Sequence, residues 1–198
     1  EPLGPEVGRV KLADQQNRHH DLLTLQLGPS NWDLSVAGDP SFKKYFLPPV
    51  LRLWQARRQG RGLAIDEEVP DVPALAILGA RACELAAIAV QDKVLVQGPH
   101  VDPTYALRRR GVLVVAVSCT QAGATCFCAS MGTGPRVTSA FDLALTELGM
   151  ERGHRFLVEV GSEAGERILT AVPHADATAA DLDEAATGVE SARRHMGR

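Results

Sequence analysis

A chain of 198 residues has room for one generous domain or one domain with an appendage, since domains usually run to about 100–200 residues. Its apolar fraction of 45% and charged fraction of 23% are ordinary for a soluble globular protein, and no apolar run approaches the roughly 20 residues of a membrane helix. A formal net charge of −3 gives no general pull toward nucleic acid, and the basic runs at Arg57-Arg58, Arg61 and Arg108 to Arg110 read as solvated helix faces.

In chain order, Leu22 to Leu27 has the short apolar alternation of a strand. Phe42 to Phe46 predicts a short helix that Pro48-Pro49 breaks. A second helix is predicted to end at Arg57 and Arg58, where basic side chains suit the dipole. Gly60 and Gly62 mark a turn, Leu63 to Ile65 a short strand, and residues 66–73 an acidic, proline-bearing connector. Ala74 to Leu78 is a continuous apolar run, and Cys83 to Val90 combines good helix formers with apolar positions at helical spacing. Asp102 and Pro103 cap and open a further short helix to Arg110.

Val112 to Val117 is the strongest strand, apolar on both faces and so central in a sheet covered on both sides. Gly132 to Pro135 is a turn, Phe141 to Leu148 and Arg155 to Val160 read as a hairpin, and Ser162 caps a helix reaching Ala171. Asp176 to Met196, rich in Ala, Asp and Glu, reads as an amphipathic surface helix or a linker. The pattern predicts an α/β protein with a mixed, mostly parallel central sheet flanked by helices, and a β-hairpin after the cysteine loop. Residues 1–172 form the α/β domain, and residues 173–198 the C-terminal helix or linker.

The cysteines carry the chemical signal. Cys119, Cys126 and Cys128 crowd one loop after the Val112 to Val117 strand, and Cys83 follows another apolar strand, in the spacing C-x35-C-x6-C-x-C. In an open α/β sheet, sites are built at the carboxyl ends of strands. Cys83 also falls in the first turn of its helix, where free N–H groups and the positive dipole end favour a thiolate. Small residues around the loop (Ala122, Gly123, Ala124, Ala129, Gly132, Gly134) let backbone wrap closely round a ligand. Three readings stand on these residues: an iron–sulfur cluster on all four thiolates, a structural zinc, or buried thiols with a redox pair such as Cys119 and Cys126. Four clustered cysteines do not make a disulfide framework, so the thiols are read as reduced and the protein as cytoplasmic.

Other motifs are weaker. Gly132-Thr-Gly-Pro135 lacks the lysine and helix of a phosphate-binding loop and reads as a turn. His19, His20, His100, His154 and His174 read as solvated side chains. No Ser-His-Asp set, His-Glu-x-x-His spacing or paired-carboxylate pattern supports bond-making catalysis. Arg81 and Glu84 flank Cys83, either as a local ion pair or as an electrostatic element of the site.

A longer series runs in one consistent order: Phe46-Leu-Pro-Pro49, Leu78 to Leu85, Asp92-Lys-Val94, Asp102 to Tyr105 with Arg108-Arg109, Cys119 to Cys128, Ser130 to Pro135, Phe141 to Leu145 and Val158 to Ser162. From about Phe42 to Leu169 this series resembles the N-terminal part of the iron–sulfur proteins of cytoplasmic sulfhydrogenases and anaerobic sulfite reductases. That family comprises the hydrogenase beta subunit together with the A-type subunit of the sulfite reductase. The resemblance implies an electron carrier with a [4Fe–4S] cluster on Cys83, Cys119, Cys126 and Cys128. Its implied partners are a flavin-bearing NAD(P)H-linked subunit plus a catalytic redox subunit, with no nucleic acid. Two departures stand out. Arg81-Ala82-Cys83-Glu84 replaces the family's Arg-Pro-Cys-Asp, and the ferredoxin-like domain with two C-x2-C-x2-C-x3-C sets does not follow in this sequence. Burial of the cluster by Phe127 and Met131 is the further expectation.

Overall fold

A computed structural model describes residues 22–27, 32–37, 42–67, 72, 74–123, 125–148 and 155–196. His19, His20, Ala124, His154 and parts of the 66–73 connector lie outside them. The elements are β1 (Leu22–Leu27), β2 (Trp32–Ala37), α1 (Lys43–Phe46), β3 (Trp54–Gln59), β4 (Gly62–Glu67), β5 (Ala74–Arg81) and α2 (Ala82–Leu95). They continue with α3 (Pro103–Arg109), β6 (Leu113–Ser118), β7 (Leu143–Glu147), β8 (Phe156–Val160), α4 (Glu163–Thr170) and α5 (Ala179–Arg194).

Six strands form one mixed sheet in the order β2-β1-β5-β6-β7-β8, in which β5, β6 and β7 are parallel and the outer pairings antiparallel. The apolar Val112 to Val117 run accounts for the central place of β6: Val114, Ala116 and Ser118 are buried and the alternate residues half-buried. The expected hairpin is β7 against β8, from Leu143 opposite Val160 to Glu147 opposite Phe156. Where β5 meets β6 the register slips between Leu78 and Ala80. Gly79 sits there at φ 82°, a backbone conformation that costs glycine little. The slip resets the strand just before Arg81 and the cysteine that follows.

One expectation is overturned. The segment predicted as a helix ending at Arg57 and Arg58 is β3, paired with β4 as a separate two-stranded sheet from Trp54 opposite Glu67 to Gln59 opposite Gly62. Helical spacing of Leu51, Leu53 and Trp54 lost to pairing across the Gly60-Arg61 turn. The pairing sets Arg57 beside Asp66 at 2.6 Å and Ala56 opposite Ile65. Nothing in the segment alone reports that partner strand.

The main core joins Phe42, Phe46, Ile77, Ala80, Leu85, Ile88, Tyr105, Val114, Ala116, Val137 and Ala144. α2 forms because Ala, Leu, Glu and Lys fill it. Glu84 at its third position accepts the Arg81 N–H at 2.9 Å, which satisfies an otherwise unpaired donor at the helix start. α3 is tied down by Asp102, whose carboxylate accepts the Tyr105 N–H at 2.8 Å. The fully buried Tyr105 meets Phe46 edge-on at 5.9 Å and donates its hydroxyl to Asp92 at 2.7 Å. Arg109 reaches the same carboxylate at 3.2 Å and lies 5.6 Å from the Phe46 ring. Burial and the Asp92 carboxylate together hold the Tyr105 hydroxyl well above its usual range, so it is always a donor. Three separate stretches of the ordered series thus meet in one network that locks α2 to α3. Tyr105→Phe leaves Asp92 one donor short and is expected to cost about 1–2 kcal/mol, read as a lower denaturant midpoint with unchanged slope.

Candidate cysteine site

β5 and β6 run side by side in parallel, so their carboxyl ends open onto the same edge of the sheet. Cys83 is the second residue of α2, directly after β5, and Cys119 is the first residue after β6. The crossover from β6 to the parallel β7 is made by residues 119–142, whose described residues form no helix or strand. Connections beyond about 12–15 residues without secondary structure are uncommon and are usually either functional or linker segments.

Backbone bonds shape this loop. The Cys119 N–H donates to the Pro135 carbonyl at 3.1 Å, closing the loop's start on its far limb, and Cys126 N–H donates to Gly123 at 3.0 Å. Thr133 N–H donates to the Cys128 carbonyl at 2.9 Å, while Ser130 and Gly132 turn back on Phe127 and Ala129. Where the loop rejoins the sheet, Val137 N–H donates to the buried Ser118 hydroxyl at 3.1 Å. The hydrogen-bonded turns thus run from Phe127 to Thr133, so only the start of the segment read as a turn, Gly132 to Pro135, lies within them. Gly134 is required there by close approach: a Cβ on it would lie 3.0 Å from Cys128 Sγ and 3.2 Å from Ala82 Cβ. The loop is thereby pressed against the start of α2, beside Cys83.

The thiols are all free, with Cys83 exposed and Cys119, Cys126 and Cys128 half-buried. They lie within electrostatic reach of one another, Cys119 of Cys83, Cys128 and Cys126, and Cys83 of Cys128. Burial pushes the Cys119 thiol up to about 12, with the neighbouring sulfurs adding repulsion and Arg81 opposing it. Burial likewise raises Cys83, against Arg81, and raises Cys128, beside Cys126. Arg81 is the shared cation of the site. It pairs with Glu84 at 3.1 Å, the local ion pair weighed for these two residues, and also acts on Cys83 and Cys119.

Among the described residues, no group of three or more His, Cys, Asp or Glu side chains is placed to hold one metal ion. Cys128 Sγ donates to a sulfur outside the cysteine set, the Met196 Sδ, at 3.4 Å. Phe127 and Met131, expected to bury the site, are each 65% exposed. They therefore do not bury the cysteines, and the close neighbours that a Cβ on Gly134 would meet are Cys128 and Ala82. Met196, Asp142 and Ser118 carry no motif that marks them as part of the site. Met196 lies 68 residues from Cys128, and no spacing motif spans that interval. A shallow depression along α4, lined by Glu163, Glu166, Arg167 and Thr170, contains none of the cysteines.

Among the described residues no helix is long and apolar enough to cross a membrane. Comparison with known proteins returned no match to a family model, a curated protein or a solved structure.

Proposed function

We propose that this chain holds a [4Fe–4S] cluster on Cys83, Cys119, Cys126 and Cys128 and serves as the electron-transfer part of a multi-subunit cytoplasmic oxidoreductase of the hydrogenase or sulfite reductase type. The observation that carries the reading is the convergence of two distant segments. Four soft thiols emerge from two parallel strand ends, and the Arg81 guanidinium acts on three of them, Cys83, Cys119 and Cys128. Thiolates are the donors that soft iron–sulfur centres take. When bound, such a cluster accepts and releases electrons; the chain supplies its ligands, charge balance and exposure.

Each side chain has a part in that scheme. Arg81 offsets negative charge that four thiolates would bring together, and Glu84 holds the guanidinium in place. Cys119 supplies a ligand on the buried side, and exposed Cys83 marks the side on which a partner would approach. The partners named by the resemblance, a flavin-bearing NAD(P)H-linked subunit plus a catalytic redox subunit, fit a carrier that passes electrons between them.

The test is the iron, acid-labile sulfide and zinc content of protein purified without oxygen, with its visible spectrum. The expected result is about four irons and four sulfides per chain with a broad brown absorbance that dithionite bleaches. One zinc in a colourless protein would replace the proposal with a metal-stabilised interaction module. Metal-free protein whose cysteines oxidise reversibly would replace it with a thiol sensor.

A further inference from the structure

The C-terminal helix reaches the cysteine loop along a line of small side chains. Ala185, Gly188, Ala192 and Met196 are spaced three or four residues apart, one face of α5 and its last turn. Ala185, Ala192 and Met196 are 5%, 1% and 7% exposed. Ala185 packs with Leu148 and Leu157. A Cβ on Gly188 would lie 3.1 Å from Thr120 Cγ2, so the helix passes against the residue next to Cys119.

The start of α5 is clamped independently of the loop. Thr178 caps it, and Arg155, just before β8, reaches Asp181 at 2.7 Å and Glu184 at 3.4 Å. Bonds from Thr178 and Arg155 hold the Asp181 carboxyl well below the usual carboxylate range. Past the end of the helix, Met196 meets Cys128 Sγ at 3.4 Å. A helix anchored at its start and packed through small residues thus brings the Met196 thioether into contact with the half-buried Cys128 thiol.

We propose that Met196 is a positioning residue of the cysteine site: α5 is a strap whose thioether covers Cys128 and determines when that sulfur can be reached. Thiol chemistry at Cys128, whether alkylation or loss of its proton to a metal, requires the sulfur to leave Met196. The last turn of α5 must therefore shift before Cys128 reacts, while the exposed Cys83 needs no such opening. The consequence for cluster assembly rests on the function proposed above; the covering of Cys128 does not.

The test uses the full chain, reduced and iron-free, pulsed with N-ethylmaleimide, with each cysteine's labelling rate read by peptide mass spectrometry. Cys128 is expected to lag Cys83 in the wild type. In Met196→Ala the Cys128 rate should rise roughly tenfold or more, as protection by local closure predicts, with the Cys83 rate unchanged. Met196→Leu, similar in volume, should restore the slow rate. Equal Cys128 rates in wild type and Met196→Ala would overturn the proposal, and so would a uniform rise at all four cysteines, which reports general loosening. Anaerobic incubation of the same proteins with iron and sulfide separates the two claims. Protection of Cys128 without iron uptake sinks the cluster reading and leaves the cover standing. Iron uptake with Cys128 equally reactive in both proteins sinks the cover and leaves the cluster reading standing.

Discussion

Cys119→Ser is expected to yield a folded, colourless protein, with iron and sulfide reduced by well over tenfold relative to wild type. The loss should be that large because even neighbours of metal ligands typically cost 10–100-fold in affinity when changed. A serine hydroxyl is a harder donor, and one that stays protonated. The fold should survive because the local frame does not depend on the sulfur. The Cys119 N–H still donates to the Pro135 carbonyl, and among the described residues the main core contains no cysteine. Metal analysis and far-ultraviolet circular dichroism on the same sample check both halves. Loss of the fold together with the metal would point to a structural ion instead, because such an ion contributes its binding free energy to folding. Undiminished iron in the variant would remove Cys119 from the ligand set.

Gly165→Ala carries the largest expected cost in stability. Gly165 lies in the first turn of α4, where its N–H donates to the capping Ser162 hydroxyl at 3.2 Å. A Cβ there would run into the Asp142 carbonyl oxygen, lie 2.7 Å from the carbonyl carbon and meet Leu143 Cδ2 at 3.2 Å. The obstacle is backbone, so no rotamer change relieves it. Asp142 cannot yield easily either. Its carboxylate accepts the Val114 N–H at 2.7 Å and the Ser162 hydroxyl, its N–H donates to the Val114 carbonyl at 2.8 Å, and its own carbonyl accepts the Gly161 N–H at 2.9 Å. Overpacking usually costs about 1–3 kcal/mol; against a pinned backbone we expect about 3 kcal/mol or more, a large share of the roughly 5–15 kcal/mol of a typical domain. Urea unfolding should show a lower midpoint at similar slope. A midpoint within experimental error of wild type would mean that α4 can slide away from β7 at little cost.

Asp142 shows what kind of residue sequence patterns miss. It ends the cysteine-bearing crossover and ties β6, β7 and α4 together, yet as one acid before an apolar strand it resembles any loop residue. The strands β5, β6 and β8, the helices α2 to α4 and their caps at Asp102 and Ser162 were legible because each depends on neighbours a few residues away. Apolar periodicity, helix formers and side-chain caps are local physics. β3 escapes such reading for the complementary reason: its pairing with β4 competes with helical spacing, and only the paired state shows which wins.

The sequence by itself determined the strands β1, β5, β6, β7 and β8 of the sheet, though not β2, and with them the edge on which Cys83 and Cys119 emerge, because apolar alternation is set by local burial. It also carried the whole candidate ligand set, since cysteine chemistry is visible in the residue itself. Only the tertiary structure decided what surrounds those sulfurs. Arg81 is shared between Cys83 and Cys119, Gly134 presses on Cys128, Phe127 and Met131 face outward, and Met196 arrives from the far end of the chain. Contacts between residues far apart in sequence are selected by close packing of the folded chain, and close packing leaves no periodic trace in the order of the amino acids.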